Sequence, residues 1–119
     1  MAPSVPDLSR RARGQWGEDL AAAQYRRAGY EVLDRNWRCS TGELDLVVRR
    51  DTTVVFCEVK ARRTGGFGGP AAAVDGRKQL RLRRLAAQWL ASHDVGRVDV
   101  RFDVVTVTGT TVEVIEAAF

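Results

Sequence analysis

Two neighbouring segments of alternating apolar and polar residues constrain the fold of this chain more than any other feature. They cover residues 43–50 and 53–62, and only Asp51-Thr52 separates them. Alternation with a period of two is typical of a β-strand, and a two-residue connection predicts an antiparallel hairpin. A two-residue turn sets Arg50 opposite Thr53, which fixes the register of the whole hairpin.

This register predicts a cluster of charged side chains. Counting back from the turn places Asp45 opposite Glu58 and Glu43 opposite Lys60, with Glu58 and Lys60 on one face of their strand. Opposed Cβ atoms lie about 4.5–5.5 Å apart, so two carboxylates there repel each other. A divalent cation such as Mg²⁺ would turn this repulsion into attraction, and the set then suits phosphodiester hydrolysis. The alternative is an ordinary solvated pair of Glu58 and Lys60 on an open sheet face.

The rest of the chain predicts two helices and three more strands. A helix is expected over 9–28, capped by Ser9 and ended by Gly29. The other expected elements are a strand over 30–35, loops over 36–42 and 63–70, a helix over 75–92, and a hairpin of 99–108 and 111–116. The order α-β-β-β-α-β-β predicts an α/β fold with a mixed five-stranded sheet flanked by two main helices.

The expected buried faces follow from residue spacing. In the first helix the apolar face is predicted to contain Ala12, Trp16, Leu20 and Ala23. A second stripe of mostly small residues, which would let another element approach closely, contains Gly14, Glu18, Ala21, Ala22 and Tyr25. The core face of the second helix is predicted to contain Leu82, Leu85, Ala86 and Trp89. On the strand over 43–50, one face is predicted to hold Leu44, Leu46 and Val48.

Composition narrows the class of protein. The 119 residues suffice for one domain, which we expect over 9–119 after a disordered leader over 1–8. No apolar run is long enough to span a membrane and the N-terminus lacks the apolar region of a secretory signal, so a cytoplasmic protein is expected. A single histidine, His93, excludes a His-based triad, and the two cysteines are expected to be reduced.

Charge points to a polyanionic partner. The net charge is +4 and the isoelectric point is about 9.7, although a merely soluble basic surface is the alternative. Of the 19 basic residues only Lys60 and Lys78 are lysines. Arginine cannot lose its proton and has a wide planar head, so a retained lysine indicates a position where a compact charge is required.

Several motifs in a fixed order carry a family resemblance. They are Gly14-Gln-Trp-Gly-Glu18, Arg35-Asn-Trp-Arg38, Gly42-Glu-Leu-Asp-Leu46, Phe56-Cys-Glu-Val-Lys-Ala-Arg62, Lys78, and Arg101-Phe-Asp-Val104. With them the chain resembles, over about residues 13–107, the YraN family of small bacterial proteins of uncharacterised function. That family is similar to the PD-(D/E)xK nucleases, near the archaeal Holliday-junction resolvases. The resemblance implies a restriction-endonuclease-like core.

The resemblance also implies roles for individual residues. Asp45 and Glu58 match the metal-binding acids of the superfamily, with the main-chain carbonyl of Val59 as a further ligand. Lys60 matches its catalytic lysine, and Glu18 matches the first-helix acid near the metal. The implied cofactor is Mg²⁺, with Mn²⁺ as a substitute.

These features together predict a Mg²⁺-dependent DNA endonuclease, with branched or damaged DNA as candidate substrates. The residues expected to contact nucleic acid are Arg62, Arg63, Arg77, Lys78, Gln79 and Arg81; the alternative for them is a solvated basic helix face. A homodimer is a further expectation, because resolvase-like relatives act as dimers. Two rival functions stay open: a non-catalytic nucleic-acid-binding module with the same fold, and an interaction protein whose basic surface docks an acidic partner.

Overall fold

A computed structural model describes residues 5–62 and 74–119, with side chains described from residue 14 onwards. The helices are α1 (Val5–Arg27) and α2 (Gly76–Ser92), and the strands are β1 (Glu31–Cys39), β2 (Gly42–Arg50), β3 (Thr53–Arg62), β4 (Asp99–Thr108) and β5 (Thr111–Ile115). The strands form one sheet in the order β1-β2-β3-β4-β5. Only the β3–β4 pair is parallel, because α2 connects these two strands. The predicted α/β class and mixed sheet are confirmed.

Element boundaries differ from prediction mainly around α1 and β1. The first helix begins at Val5, four residues before the predicted start at Ser9. The strand β1 continues to Cys39, through most of the predicted loop, because it pairs with β2 as far as Cys39↔Gly42. Residues 1–4 of the predicted leader and the predicted loop over 63–70 lie outside the described part of the chain. No helix among the described residues is long and apolar enough to cross a membrane.

The sheet separates two apolar clusters. The cluster on the α2 side includes all four predicted core residues of that helix, Leu82, Leu85, Ala86 and Trp89. The cluster on the α1 side is built from smaller residues, and its helical members are Ala21, Ala22 and Tyr25. Each helix therefore covers one face of the sheet.

The buried face of α1 is not the predicted one. Trp16 is 53% exposed, whereas Ala21 and Ala22 from the stripe of small residues are fully buried. The helix lies so close to β3 that a Cβ atom at Gly17 would come 2.9 Å from the Cβ of Ala61. Such close packing admits only small side chains, so the bulky Trp16 is excluded from the contact. The predicted side chain of Ala12 lies outside the described side chains.

A buried polar network fixes the C-terminal end of α1 on the sheet. The Tyr25 hydroxyl donates to Asp103 Oδ2 at 2.7 Å, and Asp103 is completely buried. Arg101 donates to both oxygens of Asp103 at 2.9 Å and to the Tyr30 hydroxyl at 3.0 Å. A paired and fully hydrogen-bonded buried carboxylate gives a defined geometry, which holds the direction of α1 across the sheet.

Candidate metal centre

The predicted hairpin register is confirmed up to the edge of the site. The strands β2 and β3 pair from Arg50↔Thr53 to Leu46↔Cys57. The ladder ends there, so the predicted opposition of Asp45 and Glu58 is not part of it. Instead the main-chain N–H of Val59 donates to Asp45 Oδ2 at 2.9 Å. The Asp45 side chain thus takes the place of a main-chain acceptor for the Val59 N–H, which lies just beyond the end of the β2–β3 ladder.

The alternation of β2 breaks next to Asp45. Leu46 and Val48 belong to the α1-side cluster, but Leu44 packs in the α2-side cluster. The prediction that these three share a face is therefore wrong at Leu44. The break lies beside Asn36 on β1, whose φ of 53° is left-handed. Because Leu44 faces α2, its neighbour Glu43 turns towards α1, and Asp45 lies in the gap between β2 and β3.

This irregularity brings three carboxylates together. Oxygens of Glu18, Glu43 and Asp45 all lie within 4.8 Å of one another. The Oε1 atom of Glu18 is buried and has no hydrogen-bond partner among the described residues; the guanidinium of Arg35 lies 3.6 Å away. A buried carboxylate oxygen without a hydrogen bond is costly unless a cation binds it.

The acids perturb one another. Burial, followed by the negative charge of Glu58, raises the pKa of Asp45 to about 7, against the stabilising hydrogen bond from Val59. Burial also raises the pKa of Glu18, against the opposing effects of Asn36 and Arg35. Carboxyl groups whose pKa rises through burial and mutual repulsion are typical of functional sites, and cation binding would relieve both effects.

Glu58 lies on the α2 side of the sheet and contacts both lysines of the chain. Its Oε1 atom is 3.7 Å from Lys60 Nζ and 3.4 Å from Lys78 Nζ. Partial burial and the neighbouring ammonium of Lys78 lower the pKa of Lys60, while the charge of Glu58 opposes this. The two lysines that stand out in an arginine-rich sequence therefore meet at one carboxylate.

The predicted catalytic residues lie on two sides of the sheet near the end of the ladder: Glu18 clusters with Asp45 towards α1, whereas Glu58 and Lys60 pair on the α2 side. Glu18 from α1, Asp45 from β2, and Glu58 and Lys60 from β3 line the region where the ladder ends. The sequence prediction did not include Glu43 among the ligands, since unbroken alternation placed it beside Lys60. Its position two residues before Asp45 was visible, but the break in alternation that turns it towards Glu18 was not.

The residues predicted to contact nucleic acid lie on α2 and at the end of β3, apart from Arg63. Arg77 and Arg81 are exposed on α2, and Lys78 is half-buried beside Glu58. The half-buried Gln79 donates from Nε2 to the Val74 carbonyl at 3.2 Å and so orders the entry to α2. Arg62 is half-buried at the end of β3, and Arg63 lies outside the described residues.

The donor set fits a hard divalent cation. Mg²⁺ prefers carboxylate and carbonyl oxygens. Glu18, Glu43 and Asp45 offer clustered carboxylates, and Glu58 lies close enough for its charge to raise the pKa of Asp45. The Val59 carbonyl is the further ligand that the family resemblance implies. The strongest sign of this fit is the buried Oε1 atom of Glu18, which has no hydrogen-bond partner among the described residues and only the Arg35 guanidinium at 3.6 Å as a countercharge.

Comparison with known proteins assigns the family. The model of the uncharacterised protein family UPF0102 matches residues 17–107. The chain belongs to this family. UPF0102 is the YraN family, so the predicted membership is confirmed, and the wider resemblance to nucleases stays a prediction.

Curated UPF0102 relatives match most of the chain. A UPF0102 protein of Frankia casuarinae is 55% identical over 97 residues, which cover 82% of this chain and 82% of that protein. One from Moorella thermoacetica is 48% identical over 118 residues, covering 94% and 98%. One from Acidothermus cellulolyticus is 46% identical over 126 aligned residues, covering 93% and 96%.

Proposed function

We propose that this UPF0102 protein is a Mg²⁺-dependent endonuclease that hydrolyses DNA phosphodiester bonds in the cytoplasm, with branched or damaged DNA as candidate substrates. The observation that supports it best is the buried Glu18 Oε1, without a hydrogen-bond partner among the described residues, within a cluster that also contains Asp45 and Glu43. A cation at this cluster would satisfy that oxygen, and Lys60 lies beside the neighbouring Glu58.

Each residue of the site has a separable role in this proposal. Asp45, Glu18 and Glu58 hold the ion, with the Val59 carbonyl and Glu43 as further oxygen donors. Bound Mg²⁺ lowers the pKa of water and offsets the charge that develops on the phosphate. The N–H of Val59 orients Asp45, and Lys60 orients the attacking water or neutralises developing charge.

The test is a cleavage assay of the purified full chain on junction, flap, linear duplex and single-stranded DNA. We expect cleavage with Mg²⁺ or Mn²⁺, none with EDTA, and a loss of at least about 100-fold in kcat for Lys60→Ala. Arg26→Ala, which removes an exposed cation from the last turn of α1, is the matched control. Absence of metal-dependent cleavage, or an equal rate for Lys60→Ala, contradicts the proposal. Light scattering of the same sample tests the expected homodimer.

A non-catalytic nucleic-acid-binding module is the second candidate. The observation in its favour is that Lys60 and Lys78 already offset the charge of Glu58 without an ion. This function predicts salt-sensitive binding with no cleavage under any metal. It also predicts that Asp45→Asn leaves DNA affinity unchanged, whereas an enzyme that binds DNA through its metal loses affinity in this variant.

A further inference from the structure

A groove with a volume of about 530 Å³ runs beside α2 and is walled on its other side by the β1–β2 turn. The cationic residues that line it come from one face of the helix and are Arg77, Lys78, Arg81 and Arg84. Thr41 lines it from the β1–β2 turn. We call this the basic groove. At one point it reaches the candidate metal centre, because Lys78 Nζ lies 3.4 Å from Glu58 Oε1.

The arginines of the basic groove have no acidic partner in the described residues. None of the ion pairs among the described residues involves Arg77, Arg81 or Arg84. By contrast, Arg35 pairs with Asp19 and Arg38 pairs with Glu43. Residues 63–73 contain no acidic residue either. The one acid that lines the groove, Asp75, caps the helix by accepting from the Lys78 N–H at 2.9 Å.

This arrangement works against the stability of α2. Cations in the first turns of a helix oppose its dipole, and apart from the cap Asp75 the start of α2 carries no acid. Arg77 and Arg81 are four residues apart and Arg81 and Arg84 three, so like charges also repel along one helix face. If this face of α2 only contacted solvent, a mixture of acidic and basic residues would make the helix more stable. The unmixed positive charge therefore favours the binding of an anionic ligand.

We propose that the basic groove binds consecutive phosphates of a single nucleic-acid strand; that this strand leads to the scissile bond rests on the proposed function. From Arg77 to Arg84 the helix rises about 10 Å, which matches about three phosphates of a strand whose bases stay stacked, at the axial rise of about 3.4 Å per nucleotide that one strand has in B-DNA. The contacts are to the backbone, so binding is independent of sequence.

The wall of the groove favours a single strand over a duplex. Thr41 is held against α2, because Gln88 Nε2 donates to its hydroxyl at 2.7 Å. A Cβ at Gly42 would lie 3.9 Å from Arg81 Cδ, so the turn also packs closely on the helix. The β1–β2 turn therefore flanks the basic face along one side, whereas a recognition helix must project freely to enter the major groove of a duplex.

Fluorescence anisotropy of the full chain in EDTA tests this without any turnover. The probe is a labelled oligothymidine of about twelve nucleotides, titrated between about 50 and 200 mM salt. With about three phosphates neutralised, log affinity should fall with log salt at a slope of about −2. Arg84→Ala should reduce that slope by about 0.7 and the affinity about 3- to 10-fold, and adding Arg81→Ala should double the change in slope.

Matched controls decide the outcome. Arg26→Ala removes an exposed arginine far along the chain from the groove and should leave slope and affinity unchanged, while circular dichroism verifies that each variant is folded. If Arg84→Ala behaves like Arg26→Ala, the groove does not bind the strand. Equal affinity for a duplex of the same length overturns the single-strand assignment, and equal competition by polyglutamate overturns nucleic acid as the ligand. Binding as expected, with no cleavage in any metal, leaves this inference standing and contradicts the proposed nuclease activity alone.

Discussion

Replacing Asp45 by asparagine should stabilise the metal-free protein at pH 8. Burial and the charge of Glu58 raise the pKa of Asp45 from its ordinary value of 3.8 to about 7. The wild-type fold at pH 8 therefore holds a carboxylate whose charged form is disfavoured, whereas asparagine is neutral and retains an oxygen for the Val59 N–H. The difference in pKa corresponds to about 4 kcal/mol, and side-chain rearrangement and water entry reduce the expected gain to about 2 kcal/mol.

The sign depends on pH in a defined way. Unfolded Asp45 ionises near pH 4, while the folded protein keeps the proton up to about pH 7. In this interval the folded state binds more protons than the unfolded state, so wild-type stability falls as pH rises. The advantage of the asparagine variant should therefore be small near pH 4, grow up to about pH 7 and remain constant above it.

Thermal unfolding in EDTA measures this effect. A gain of about 2 kcal/mol should raise Tm by about 8 °C at pH 8. Asp94→Asn, which neutralises an exposed acid in the α2–β4 connection, should change Tm by no more than about 1 °C. Added Mg²⁺ should stabilise the wild type and not Asp45→Asn. A lower Tm for the variant at pH 8, or a gain of equal size near pH 4, would refute the reasoning.

Two further substitutions test the packing that positions the site. Gly17→Ala places a Cβ 2.9 Å from the Cβ of Ala61 and should push α1 away from β3, lowering the proposed cleavage rate at least about 10-fold; Gly14→Ala, with nothing within 4 Å, should leave it unchanged. Equal rates for the two glycine variants would count against this account of α1. Asp103→Ala removes the buried carboxylate that pairs with Arg101 and accepts from Tyr25, and should lower the free energy of unfolding by about 3–5 kcal/mol in urea titrations. A loss below about 1 kcal/mol would show that the network is not needed.

The sequence predicts the elements with strong periodicity most accurately. The strand β3 has its predicted bounds, residues 53–62, because alternation and the two-residue turn both mark it. The core face of α2 follows equally well, since its leucines and Trp89 recur at helical spacing and Asp75 caps its start. The register also predicts that Asp45 lies near Glu58, but the ladder ends one pair earlier, at Leu46↔Cys57, and Asp45 is positioned there by the Val59 N–H.

Features that depend on tertiary packing were not predictable in the same way. The orientation of α1 is set by the close approach of Gly17 to β3, which overrides the hydrophobicity of Trp16. The inclusion of Glu43 depends on the break in β2 beside Asn36, where a left-handed backbone interrupts the alternation. A periodic pattern assumes a regular strand, so it fails at the irregularity around which the acids gather.

Because Asp45 accepts a hydrogen bond from the Val59 N–H, this residue is needed for the fold as well as for the proposed metal binding. An apolar residue in place of Asp45 would remove a proposed ion ligand. It would also leave the Val59 N–H without an acceptor, because the β2–β3 ladder ends before this residue. A lineage that abandoned the proposed reaction would thus still need an oxygen acceptor here, and asparagine is the nearest substitute. Asparagine in place of Asp45 in a relative would accordingly mark a descendant that kept the architecture after its chemistry was lost.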